Sequence, residues 1–194
     1  MPRIISALFF ASVLIFGATC CKKKSTKKDP IEVDIYRSDT TTLPTAIPPL
    51  AISLDFTSPP MQIDTFATKV DEYITPYGFN KGQITKVVLK SLNIVLENSP
   101  GQTFNFVKNS PPSLSVYVDS FAGNTPQLVA SIQNRPAGAT TMTLDVQNKD
   151  IKDYFRSQYM KLLVGFKTEE NEGLSSDTKF RVNYVFTVYA DPNL

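Results

Sequence analysis

From Ile31 onward the chain repeatedly alternates apolar and polar residues with a period of two. Successive side chains of a strand point to opposite faces, so this pattern reads as a series of half-buried strands. Ile31, Val33 and Ile35 alternate with Glu32 and Asp34, and Ile52, Leu54 and Phe56 with Ser53 and Asp55. Leu114, Val116 and Val118 alternate with Ser113, Ser115 and Tyr117. Leu128, Ala130 and Ile132 follow, then Met142, Leu144 and Val146, then Met160, Leu162, Val164 and Phe166. The longest series is the last: Phe180, Val182, Tyr184, Phe186 and Val188.

One segment, Ile84 to Glu97, changes phase partway. Val87 and Leu89 share one phase, while Leu92, Ile94 and Leu96 take the other, with the switch at Lys90-Ser91. Such a switch predicts a β-bulge, or a bend where a strand passes between sheets. Proline cannot donate to a ladder, and Pro48-Pro49, Pro59-Pro60, Pro100, Pro111-Pro112, Pro126 and Pro136 all fall between these segments. Gly123-Asn124 and Gly138 mark further turns. Two short helices interrupt the pattern. Phe66, Val70, Tyr73 and Ile74 recur at helical spacing, with Asp64 or Thr65 as N-cap and Pro76-Tyr77-Gly78 as the stop. Asp150 suits the cap of one or two turns carrying Ile151, Tyr154 and Phe155. The expected fold is all-β: a Greek-key-like, two-sheet β-sandwich of about eight strands, with one or two short helices plugging its open ends.

The front of the chain has a different composition. Arg3 precedes an unbroken apolar and small-residue run, Ile4 to Phe16, then Gly17, Ala18, Thr19 and the pair Cys20-Cys21. This is the layout of a secretory signal, and the run is short of the roughly 20 residues that span a bilayer. The spacing resembles the lipobox of bacterial lipoproteins, in which the cysteine after the cleavage site is acylated and becomes the new N-terminus. Thr19 or Cys20 stands where that family favours Gly, Ala or Ser, and Gly17 or Ala18 where it favours a branched aliphatic residue. Cys20 is the preferred lipidation site and Cys21 the alternative. No later cysteine exists to pair with either. The resemblance implies an export signal over residues 1–19 and a lipid anchor holding the protein to the membrane. Residues 20–30 then form a tether whose Lys22, Lys23, Lys24, Lys27 and Lys28 stay solvated and can touch anionic head groups. Neither cysteine is followed by Asp, which in this family favours the outer membrane where two membranes exist.

Residues 31–194 suit one domain, long enough to bury about 70% of its extended surface without disulfides or metal. Removing Arg3 and the five tether lysines from the 20 basic residues leaves 14 against 18 acidic. A mildly acidic domain without a basic stripe argues against nucleic-acid binding. The chain has no histidine and no tryptophan. Without histidine there is no Ser–His or Cys–His pair, no His-ligated zinc and no imidazole acid–base chemistry. Without tryptophan, tyrosine is left as the main sugar-stacking side chain.

Several constellations have a plain alternative. Glu169, Glu170, Asn171, Glu172 and Asp177 could supply oxygens to calcium, but their spacing matches no calcium loop and reads better as a solvated connection. Asp145, Asp150 and Asp153 could pair as carboxylates, yet Asp150 already serves as a helix cap. Ser176-x-x-Lys179 lacks the companion motifs of penicillin-binding enzymes. The outward phase is more informative: Tyr117, Val129, Tyr159, Leu163, Val185 and Tyr189 point away from the core, and several on one sheet would make a partner or ligand face. The helix around Phe66–Ile74 is the competing use for such a face, since its own apolar side needs a seat. The expectation is a non-catalytic binding or structural module at the cell envelope, needing no cofactor or metal and meeting an envelope protein. A carbohydrate-binding module is the alternative, and a carboxylate-dependent hydrolase a distant third.

Overall fold

The computed structural model describes residues 29–42, 61–97, 101–108, 113–120, 125–167 and 177–194, with the backbone alone for 61–66 and 106. Among the described residues nine strands run β1 Ile31–Thr42, β2 Met61–Ala67, β3 Ile84–Glu97, β4 Leu114–Ser120, β5 Gln127–Ile132, β6 Thr141–Thr143, β7 Asp145–Val146, β8 Tyr159–Phe166 and β9 Lys179–Ala190. They form two antiparallel sheets, a four-stranded one ordered β1-β9-β3-β6 and a five-stranded one ordered β2-β8-β4-β5-β7. The molecule is therefore a two-sheet β-sandwich. Most connections pass from one sheet to the other, as in a Greek-key-like arrangement rather than stacked meanders.

The core lies where the alternation places it. Leu92, Ile94, Val182, Tyr184, Phe186 and Val188 of the first sheet face Val116, Val118, Ala130, Met160 and Leu162 of the second, and all are buried. Phe186 is central, edge-on to Tyr184 at 5.3 Å and to Phe155 at 5.0 Å. The phase switch in β3 is a bulge. Leu89 lies opposite Phe186 and Ser91 opposite Val185, which leaves Lys90 as the extra residue. The strand stays on β9 throughout, so it does not change sheets.

The change of sheet occurs elsewhere. Residues 142–146, expected as one strand, divide at Leu144: β6 pairs with β3, β7 pairs with β5, and the Leu144 N–H donates to the Leu92 carbonyl. That crossing closes one side of the sandwich. On the other side Arg37, at the inner phase of edge strand β1, donates from Nη2 to the Ala67 carbonyl at the end of β2.

The first predicted helix needs correction. Phe66, Asp64 and Thr65 belong to β2, opposite Met160, Leu162 and Lys161 of β8. Helix α1 covers only Val70–Ile74, followed by a 3-10 turn Thr75–Tyr77 and left-handed Gly78. A short apolar spacing fits helix and strand alike, and pairing with β8 decides it. Lys69, with φ of 46°, turns the chain from strand to helix without a side-chain cap. Helix α2, Lys152–Arg156, stands where predicted. Asp150 Oδ1 accepts from the Lys152 N–H and, across the sheet end, from the Val87 N–H, both at 3.0 Å. Both helices sit at the end where β3 begins: Arg156 donates to the Ile84 carbonyl, and Lys81 pairs with Asp71 of α1. Val70, Ile74, Ile151 and Phe155 seal that end, and Phe104, 6.3 Å from Phe180, packs at the other.

The signal segment, Cys20, Cys21, the tether lysines, the strand expected over Ile52–Phe56, Pro48-Pro49, Pro59-Pro60, Pro100, Pro111-Pro112, Gly123-Asn124, the acidic run 169–172 and Ser176 lie outside the described residues.

Candidate functional site

The outer face of the four-stranded sheet carries the most organised group of solvent-facing side chains. Side chains directly opposite one another on neighbouring strands interact. Here Ser38 of β1, Asn183 of β9, Asn93 of β3 and Thr143 of β6 stand in one register line. Ser38 Oγ donates to Asn183 Oδ1 at 2.7 Å, Asn183 Nδ2 to Asn93 Oδ1 at 3.3 Å, and Asn93 Nδ2 to Thr143 Oγ1 at 3.4 Å. The row spans all four strands without a charge. Each amide has two donor hydrogens and two acceptor lone pairs, so one contact on each side leaves capacity for a ligand.

The adjoining line is Tyr36, Val185 and Ser91, with Tyr36 73% exposed. Beyond it Asp34 is clasped from two strands. Thr187 Oγ1 donates to Asp34 Oδ1 at 2.7 Å, and Lys90 Nζ reaches over β9 to Oδ2 at 2.6 Å. These two donors hold the Asp34 carboxyl below its ordinary range, and the same contact raises the Lys90 ammonium. The last line sets Glu32, Tyr189 and Lys86 side by side, with the Lys86 ammonium 5.9 Å from the centre of the Tyr189 ring.

The residues singled out by their outward phase divide between the two sheets. Val185 and Tyr189 belong to the face just described. Tyr117 and Leu163 lie opposite each other on the five-stranded sheet, half-buried, and Tyr159, 44% exposed, opens β8 of that sheet. Val129 is buried, as the extra residue of a bulge where Ala130 pairs with Val116 and Leu128 with Tyr117. Alternation tells inside from outside but not which sheet a strand joins. Tyr36, Ser38, Asn93 and Asn183 were missed. The signal for Tyr36 and Ser38 was the continuation of the β1 alternation past Ile35, in the phase of Glu32 and Asp34, and for Asn93 and Asn183 their place between the core residues Leu92 and Ile94 and Val182 and Tyr184.

The acidic residues are dispersed. Asp145 sits on β7 opposite Ser131, Asp150 holds two backbone N–H groups and lies 3.6 Å from Lys152 Nζ, and Asp153 is exposed on α2. Among the described residues no three His, Cys, Asp or Glu side chains gather as a metal would require. Lys179 opens β9 and is exposed. Tyr154 of α2 donates its hydroxyl to the Thr125 carbonyl at 2.6 Å; burial, Asp119 and Asp153 push that phenol up. No helix among the described residues is long and apolar enough to cross a membrane. The chain matches no protein-family model and no curated protein.

Proposed function

We propose that the chain is an exported, lipid-anchored binding module of the bacterial cell envelope without chemistry of its own. The export and anchoring part rests on the run Ile4 to Phe16, the Cys20-Cys21 pair and the lysines behind it. The binding part rests on one observation: an uncharged amide and hydroxyl row crossing four strands beside a tyrosine 73% exposed. A rigid sheet fixes these groups at strand spacing, which lowers the ordering penalty on binding.

That same row favours a glycan as ligand. Amides and hydroxyls match sugar hydroxyls, and a flat tyrosine ring supplies an apolar surface with a polar tip. The test is binding of the purified mature protein to a broad glycan panel, with Tyr36→Ala and Asn183→Ala beside the parent. Truncating a central aromatic contact removes about 2 kcal/mol, so Tyr36→Ala is expected to weaken binding about 10- to 30-fold with its thermal unfolding unchanged. Flat isotherms across the panel sink the glycan reading. A stoichiometric protein recovered after mild cross-linking in native membranes would put an envelope protein in its place.

A further inference from the structure

The two ends of the sandwich differ in what they expose, and the difference follows where the chain enters. Ile31 opens β1 opposite Ala190, and Ala190 also faces Ile84, so the chain enters at the end that holds α1, α2 and residues 191–194. If the anchor proposed above sits at Cys20, ten residues separate it from Ile31. The eleven steps from Cys20 to Ile31 reach at most about 38 Å at roughly 3.5 Å each. The 12-residue strand β1 has the same eleven steps and is about 36 Å long at roughly 3.3 Å each. The tether must be drawn out almost fully before the far end meets a bilayer, so the entry end is the one held next to it.

Four large hydrophobic residues are strongly exposed among the described residues, and three of them lie at this end. Tyr77, 55% exposed, tips the 3-10 turn after α1, and Leu194 is 71% exposed. The segment leading to Leu194 is held beside the start of β3 by Gln83, whose carbonyl accepts from the Asp191 N–H and whose side chain donates to the Pro192 carbonyl. Tyr159 is the third. On α1 and the turns beside it, Lys69 lies 3.3 Å from Glu72 and Lys81 lies 3.6 Å from Asp71. Charges of both signs lie at the same end: Glu32 and Lys86 beside Tyr189, Lys152, Asp153 and Arg156 on α2, and Asp191 after β9.

We infer that this end docks on the lipid surface, with the Tyr77 ring seated in the head-group layer. Tyrosine is favoured there because its ring is apolar and its hydroxyl wet. The inference rests on the lipid-anchor reading. Docking would fix the tilt of the sandwich and hold the Ser38–Thr143 row upright, across the sheet, instead of letting it tumble on the tether.

Because the chain has no tryptophan, Tyr77→Trp makes a single reporter. The full chain, exported and lipidated, is reconstituted into vesicles of zwitterionic lipid with a minority of anionic lipid. A second single reporter, Thr140→Trp, marks the far end, where the Thr140 carbonyl accepts from the Leu96 N–H. Lipids brominated near the head group quench tryptophan on contact. The expected result is a blue shift and loss of emission at position 77, with emission at 140 unchanged. Equal emission at both positions in protein that floats with the vesicles overturns docking and leaves the anchor standing. Protein that fails to float overturns the anchor reading, and docking with it.

Discussion

Asp34 shows how a single side chain ties strands together. It sits on β1, takes one hydrogen bond from Thr187 on the neighbouring β9, and takes a second from Lys90 on β3 beyond it. Lys90 reaches that far because it is the bulged residue, set out of the ladder. A carboxyl lowered in the folded state adds stability that is complete above the ordinary carboxylate value, about 3.9, and is lost as pH falls through the lowered value. Lys90 is raised, so its share is complete below the ordinary lysine value and fades only in strong alkali. Asp34→Asn should therefore destabilise by about 1 kcal/mol or less at pH 7, as expected of an ion pair open to solvent. It should also flatten the acid limb of the stability profile. Urea unfolding of parent and variant from pH 3 to pH 7 reads both, and parallel profiles would deny the clasp its role. Asp150 is a different kind of acid. Its Oδ1 is spent on the Val87 and Lys152 N–H groups.

Among elements, β3 carries the clearest consequence. Its first half and second half bury opposite phases, and only Lys90 reconciles them against a single partner, β9. Deleting Lys90 would slide one half by a residue and turn Val87 and Leu89 toward solvent while the rest keeps its register. Each exposed side chain forfeits roughly 2 kcal/mol, and the ladder bonds lost with them bring the total near the roughly 5 kcal/mol that holds a marginally stable domain. Circular dichroism and thermal melting should show the deletion unfolded and Lys90→Ala folded. A cooperative melt of the deletion variant near the parental temperature would refute the bulge. The phase switch was legible because it is a local signal within one long apolar strand, and pairing with β9 on both sides of it made it a bulge and not a change of sheet. The nature of β2 was not legible, because Phe66, Val70, Tyr73 and Ile74 fall at helical spacing. Nothing within residues 61–74 reveals that β8 is waiting to pair with 61–67.

At the scale of the molecule the two sheets are locked by one shared core. The strand crossing at Leu144 closes one side, and Arg37 reaches Ala67 on the other. Phe186 ties its sheet to the sealing helix, since its ring meets Tyr184 within its own strand and Phe155 of α2. Phe186→Ala should lower unfolding stability by about 3–5 kcal/mol, read from urea midpoints at constant slope. A loss below about 1 kcal/mol would mean the core is not continuous between sheets and helix. The sequence alone determined the all-β class, the inside-or-outside phase of most described strands, the phase switch at Lys90-Ser91 and the position of α2. All of these follow from period-two alternation and near-neighbour hydrogen bonding. Tertiary structure alone decided which strands share a sheet. It split the outward tyrosines between two faces, aligned Ser38, Asn183, Asn93 and Thr143 in one row, and gathered Tyr77 and Leu194 at the entry end. The reason is that partner choice in a sandwich depends on contacts between distant residues, such as Asp34 and Thr187, 153 apart, and a pattern of period two is the same whichever partner is chosen.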